Sequence, residues 1–109
     1  MPVDKTRARQ LALAFPDASE APHFDRVAFR TPRRIFATLG PSGGDLNLMF
    51  DPDLRDFYCE HEPGAFTPVP GGWGRRGATR CELGKVDETT LMSALQAAYR
   101  LAAPRPKRR

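Results

Sequence analysis

Near the start of the chain, apolar residues recur three and four apart. Ala8, Leu11, Ala12 and Phe15 share one helical face, and Lys5, Arg7 and Arg9 fall off it. Asp4 stands where an N-cap belongs and Pro16 ends the run, which predicts a helix over about Lys5 to Ala14. The same period returns in Leu91, Leu95, Ala98, Tyr99 and Ala102, with Asp87 as cap and Pro104 as stop. Between these segments the period falls to two. Val27 and Phe29 alternate with Ala28 and Arg30, and Thr31-Pro32-Arg33 reads as a turn. A second strand runs from Ile35 to Leu39, and Gly40-Pro41-Ser42-Gly43-Gly44 is a hairpin loop. In the next strand Leu46, Leu48 and Phe50 alternate with Asn47 and Met49.

Asp51-Pro52 opens a short helix, with Asp as cap and Pro in the first turn. Leu54, Phe57 and Tyr58 form its apolar side, and it is expected to end before Pro63. Residues 61–77 read as one long loop, a feature that is uncommon in compact domains and often functional. Ala78 to Leu83 returns as a strand, broken by Gly84. The order is helix, meander, short helix, loop, strand, helix. It predicts an α+β fold, an antiparallel β-sheet with the N- and C-terminal helices packed on one face.

Composition and charge narrow the function. With 109 residues, 40% hydrophobic and 28% charged, the chain suits one domain with its own core. That domain is read as 1–104, followed by a disordered basic tail, 105–109. Arg105, Lys107, Arg108 and Arg109 account for the whole formal charge of +4, so the preceding residues are balanced. The basic pI, a sign of anionic partners in general, therefore rests on a short end segment and on local arginine clusters. The apolar run from Leu11 to Phe15 is shorter than the ~7–15 residues of a signal peptide core. Nothing approaches the ~20 apolar residues of a membrane span. The two cysteines, Cys59 and Cys81, read as reduced thiols in a reducing cytoplasm.

Several residues carry candidate chemistry. Gly72-Trp73-Gly74-Arg75-Arg76-Gly77 matches a dinucleotide-loop pattern, but a Pro-rich stretch precedes it and a strand follows, so it reads as a surface loop. Its glycines are expected to let Trp73 face inward while Arg75 and Arg76 face out, so that Trp73→Ala would cost ~3 kcal/mol or more. Arg33 and Arg34, with Arg26 and Arg30 close by, cluster at the first turn, where guanidiniums reach phosphates. His23, between Pro22 and Phe24, reads as a packed, hydrogen-bonded side chain. Cys59, His61 and Cys81 lack zinc-site spacing. No nucleophile–base constellation is visible, so no catalysis, cofactor or metal is expected.

The segments Phe15-Pro16, Pro22-His23-Phe24, Ala28-Phe29-Arg30, Ile35-Phe36-Ala37-Thr38-Leu39, Asn47-Leu48, Phe66, Pro68-Val69-Pro70 and Gly72-Trp73-Gly74-Arg75 follow one another in an order that resembles the MmcQ/YjbR-like family. The likeness runs from about Thr6 to Pro104. It implies a frataxin-like (CyaY-like) α/β sandwich, also described as a double-wing DNA-binding motif. Lys5, Arg7 and Arg9 stand on the first helix, where iron delivery would need an acidic surface. The resemblance implies DNA as partner. The candidates for weak phosphate contacts are Arg33, Arg34, Arg75 and Arg76 with Lys107, Arg108 and Arg109 of the tail, and Trp73, if it is not packed inward, is the candidate to stack on a base. The chain is expected to act as a monomer away from membranes. The other reading is a protein-interaction or small-ligand domain that binds no nucleic acid.

Overall fold

The computed structural model describes residues 3–103. Helix α1 spans Lys5–Leu13, and strands β1 Ser19–His23, β2 Arg26–Arg30, β3 Ile35–Leu39 and β4 Asp45–Leu48 follow it. Helix α2 is Pro52–His61, β5 is Phe66–Pro68, α3 is Gly72–Arg75 and β6 is Thr79–Glu82. A 3-10 turn, Leu83–Lys85, leads into α4, Glu88–Ala102. The strands form one antiparallel sheet in the order β1-β2-β3-β4-β6-β5. Helix α4 packs on β3 and β4, and α1 packs beside it on β3. The predicted α+β fold, with its terminal helices on one face, is therefore the observed one.

Local chemistry starts each long helix. The carboxylates of Asp4, Asp51 and Asp87 accept from the backbone N–H groups of Arg7, Leu54 and Thr90 at 2.8, 2.9 and 2.7 Å. Each cap satisfies a donor that the helix cannot, a contribution of ~1 kcal/mol. The core between helices and sheet is built on fully buried Phe29, Phe36, Leu46, Leu48, Leu91 and Leu95. Phe36 meets Phe15 and Tyr99 edge-on at 6.0 and 5.6 Å, while Phe15 and Tyr99 stack at 4.7 Å. The Tyr99 hydroxyl donates to the Pro16 carbonyl at 2.8 Å, which closes the end of α1 onto α4.

Two strands and a helix were not expected. Strand β1 has no apolar alternation, because it is an edge strand whose residues are exposed or half-buried; Pro22 is tolerated there. The stretch 61–77 is not one loop but holds β5 and α3. Only Phe66 of β5 is buried, too few apolar positions to show a period. A bulge pairs Phe29 with Ala37 and Arg30 with Ile35. It sends Phe36 into the core and leaves Ile35 beside Arg30 on the opposite face. Among the described residues, no helix is long and apolar enough to cross a membrane.

Both cysteines are free thiols. Cys81 is buried in β6, and burial, with a smaller contribution from Glu82, pushes its pKa up to about 12. Cys59 is half-buried in α2, and burial raises its pKa too. Since the thiolate is the reactive form, an alkylating reagent at about pH 8 is expected to modify Cys59 slowly and Cys81 only after unfolding. Counting modified thiols by mass spectrometry in native and denatured protein checks this. Modification of Cys81 as fast as Cys59 in native protein would contradict it.

Candidate functional site

The helices cover one face of the sheet, and the opposite face is a concave surface. Register places Ala21, Ala28, Thr38, Asn47, Arg80 and Thr67 in one row across all six strands of that face. A depression of ≈ 540 Å³ lies over the row's centre. Its floor includes Arg26, Arg30, Thr38 and Asn47, and Phe24 and Trp73 stand among its walls. Arg33 and Arg34, from the β2–β3 turn, also line it. A smaller depression of ≈ 160 Å³ adjoins, between Arg34, Trp73 and Arg76.

Trp73 is not turned inward. It is 64% exposed, and it is Gly74 that faces the body. A Cβ on Gly74 would lie 1.7 Å from the Val69 carbonyl oxygen, so only glycine permits this backbone approach. Successive helical residues point in different directions, and seating Gly74 against Val69 aims Trp73 outward. Arg55 fixes α3 from behind, donating from Nη1 to the carbonyls of Gly74 at 2.7 Å and Arg75 at 3.3 Å. The Arg76 guanidinium lies 5.7 Å from the Trp73 ring centroid, a cation–π contact. The expected inward turn of Trp73 is therefore reversed, while Arg75 and Arg76 are exposed as expected. Its glycines bring the backbone in rather than the indole.

The predicted arginines take different roles. The Thr31 hydroxyl donates to the Ala102 carbonyl at 2.8 Å and accepts from the N–H groups of Arg33 and Arg34, both at 3.1 Å. This pins the β2–β3 turn to the end of α4. The Arg33 guanidinium donates to the Leu101 carbonyl at 2.9 Å, where a cation meets the negative helix end. Arg34 joins the turn through its backbone, and its side chain is exposed. Arg33, Arg34, Trp73 and Arg76 are thus brought together around the two depressions, whereas Arg75 lines neither. Lys107, Arg108 and Arg109 lie outside the described residues.

Sequence reasoning placed Arg26 beside the arginine cluster without its partners, and missed Asn47 and Phe24 as lining residues. Arg26 donates to the Thr38 hydroxyl at 2.8 Å, the Thr38 carbonyl at 2.9 Å and the buried Asp45 carboxylate at 2.8 Å. Arg80 lies 3.8 Å from the same carboxylate, so two cations share one anion. Asn47 sits half-buried on the floor with no side-chain hydrogen bond among the described residues. Phe24 is 94% exposed and has φ 58°. His23 and Arg26 pair across β1 and β2, which makes Phe24-Asp25 a two-residue turn, and its first position favours glycine. That signal was hidden because β1 itself was not recognised. The His23 ring packs edge-on to Phe24 at 4.8 Å and, among the described residues, forms no hydrogen bond, contrary to expectation. Among the described residues no three His, Cys, Asp or Glu side chains converge as a metal site would require.

Two substitutions test this arrangement by denaturant unfolding. Trp73→Ala is expected to cost less than about 1 kcal/mol, since most of the indole is already in water. A cost near the ~3 kcal/mol of a core truncation would return Trp73 to the interior. Phe24→Gly is expected to stabilise by roughly 1 kcal/mol, because it relieves a left-handed backbone and uncovers no core. A destabilised Phe24→Gly would mean that the ring holds the hairpin.

Comparison with known proteins agrees with the fold. A Deinococcus radiodurans protein, DR2400, with a DUF419 domain superposes with a TM-score of 0.73 at 19% identity, covering 88% of this chain and 75% of that one. A Pseudomonas syringae protein gives 0.74 at 13% identity, covering 93% of this chain and 100% of that one. At these identities the likeness is one of fold. No curated protein matches the chain. The model of the YjbR family matches residues 13–101, which takes in all six strands and most of α4, and the chain belongs to that family.

Proposed function

We propose that the uncovered sheet face binds DNA through its phosphates, without catalysis and with little regard to base sequence. The observation that carries this reading is the grouping of Arg30, Arg33, Arg34 and Arg76 around one concave face with exposed aromatic rings on its walls. Guanidiniums match phosphate oxygens in geometry as well as charge. Arg34 and Arg76, both exposed, are the most available for such contacts. Arg33 must share itself with the Leu101 carbonyl. Arg26 and Arg80 face the Asp45 carboxylate and set the local field rather than reach out. The double-wing reading implied by the family points the same way, with the β2–β3 turn as one wing.

The volume of ≈ 540 Å³ favours one other reading, a small anionic ligand, since it falls within the roughly 300–1,000 Å³ typical of such sites. A thermal shift with nucleoside phosphates, in a protein that fails to bind oligonucleotides, would select that reading.

Fluorescence anisotropy of a labelled oligonucleotide, titrated with the full chain across a salt series, tests the proposal. Four phosphate contacts give a log–log salt slope of about −3 to −4, and contacts from the basic tail would steepen it to the order of −4 to −6. Arg34→Gln and Arg76→Gln should each reduce the slope by about 1. Tight binding indifferent to salt, or no binding at low salt, would overturn it.

A further inference from the structure

We infer that the nucleic acid this face accepts is single-stranded DNA, and that the depression takes an unpaired base, stacked on Trp73 and reaching toward Asn47. The inference rests on the DNA reading above and deepens it. It begins from two exposed rings that stability does not explain. Phe24 is 94% exposed on a left-handed backbone, and Trp73 is 64% exposed on a four-residue helix seated through Gly74. Both leave aromatic surface in water, and Phe24 adds a backbone that glycine would adopt more readily. Strain coinciding with exposure marks a place kept for contact.

The occupant follows from charge and shape together. The faces of paired bases are hidden within the duplex stack, and its outer surface offers phosphates and base edges. A ring needs a base face to stack on, and away from a duplex end only an unpaired nucleotide offers one. A duplex resting across the rims would engage arginines but leave the floor of the depression unused. An unpaired base could enter, with Trp73 along its face and the Asn47 amide, both donor and acceptor, against its edge. Arg34 and Arg76 line the smaller depression together with Trp73, within reach of the phosphates that flank a stacked base. The Arg76 guanidinium already lies over the indole, which holds it near the backbone path. Such stacking tolerates any base, in keeping with a face that reads little sequence.

The test compares a labelled oligothymidine of about 12 nucleotides with a blunt duplex of the same length, using the full chain at low salt. The expected result is single-strand binding at least about tenfold tighter than duplex binding, with Trp73 fluorescence quenched by the single strand alone. Trp73→Ala should weaken single-strand binding by about tenfold or more while duplex binding holds, and Trp73→Phe should restore most of the loss. Phe24→Gly should also weaken single-strand binding although the protein is no less stable, a separation that a purely structural ring would not give. Equal affinity for the two oligonucleotides, or single-strand affinity within about twofold of wild type in Trp73→Ala, would overturn the unpaired-base inference and leave the phosphate reading standing. Failure to bind either oligonucleotide would bring down both.

Discussion

The contact on which the rest of the molecule depends is the meeting of Phe36 with Phe15 and Tyr99. Phe36 belongs to β3, Phe15 to the chain leaving α1, and Tyr99 to the last turns of α4, so three rings join both terminal helices to the sheet. Phe36 reaches this position because the β2–β3 register slips at Phe29 and Arg30. The same slip leaves Arg30 and Ile35 on the opposite side. One bulge thus completes the core and furnishes part of the open face. The clasp also sets where α4 ends, and that end is where Thr31 and Arg33 anchor the β2–β3 turn.

Arginine is abundant here, but its uses divide sharply. Arg7 pairs with Glu88 at 2.8 Å across α1 and α4, holding that carboxyl below its usual range, chiefly through the hydrogen bond. Arg26 is tied to Thr38 and Asp45, Arg33 to the end of α4, and Arg55 to the carbonyls of α3. These side chains brace the structure. Arg34 and Arg76 are left exposed beside Trp73, with Arg30 on the floor nearby. A balanced charge count therefore conceals a local excess, because the carboxylates are spent elsewhere or, like Asp45, shared between two cations. The basic character of the face is a property of placement rather than of composition.

The reversed direction of Trp73 shows where sequence reading loses its grip. The glycines at 72, 74 and 77 invite a sharp turn, and a lone tryptophan is more often buried than not. Which residue touches the body depends on the Val69 carbonyl, whose close approach leaves no room for a side chain at Gly74. Gly77 follows the same rule. It has φ +120°, and a Cβ there would fall 2.3 Å from the Phe50 carbonyl oxygen. Both glycines are explained by backbone neighbours, one five residues away and the other 27, and neither neighbour is marked by any local pattern.

Local signals were enough for the framework. Aspartates at 4, 51 and 87, apolar residues at helical spacing, and alternation along β2 and β4 specify the long helices and central strands, because caps and periodicity act over a few residues. The clustered arginines and the lone tryptophan were visible as candidates for the same reason. Tertiary structure alone decided the rest. Edge strands β1 and β5 exist because neighbouring strands offer them hydrogen bonds, not because their residues alternate. Phe24 became part of the site only once β1 paired with β2 and made it a turn. Arg33, though exposed, is tied by its guanidinium to a carbonyl 68 residues further along the chain, while the Arg34 side chain beside it has no such partner among the described residues. These outcomes depend on which groups meet across the fold, and a pattern read along the chain carries no distance between residues far apart in sequence.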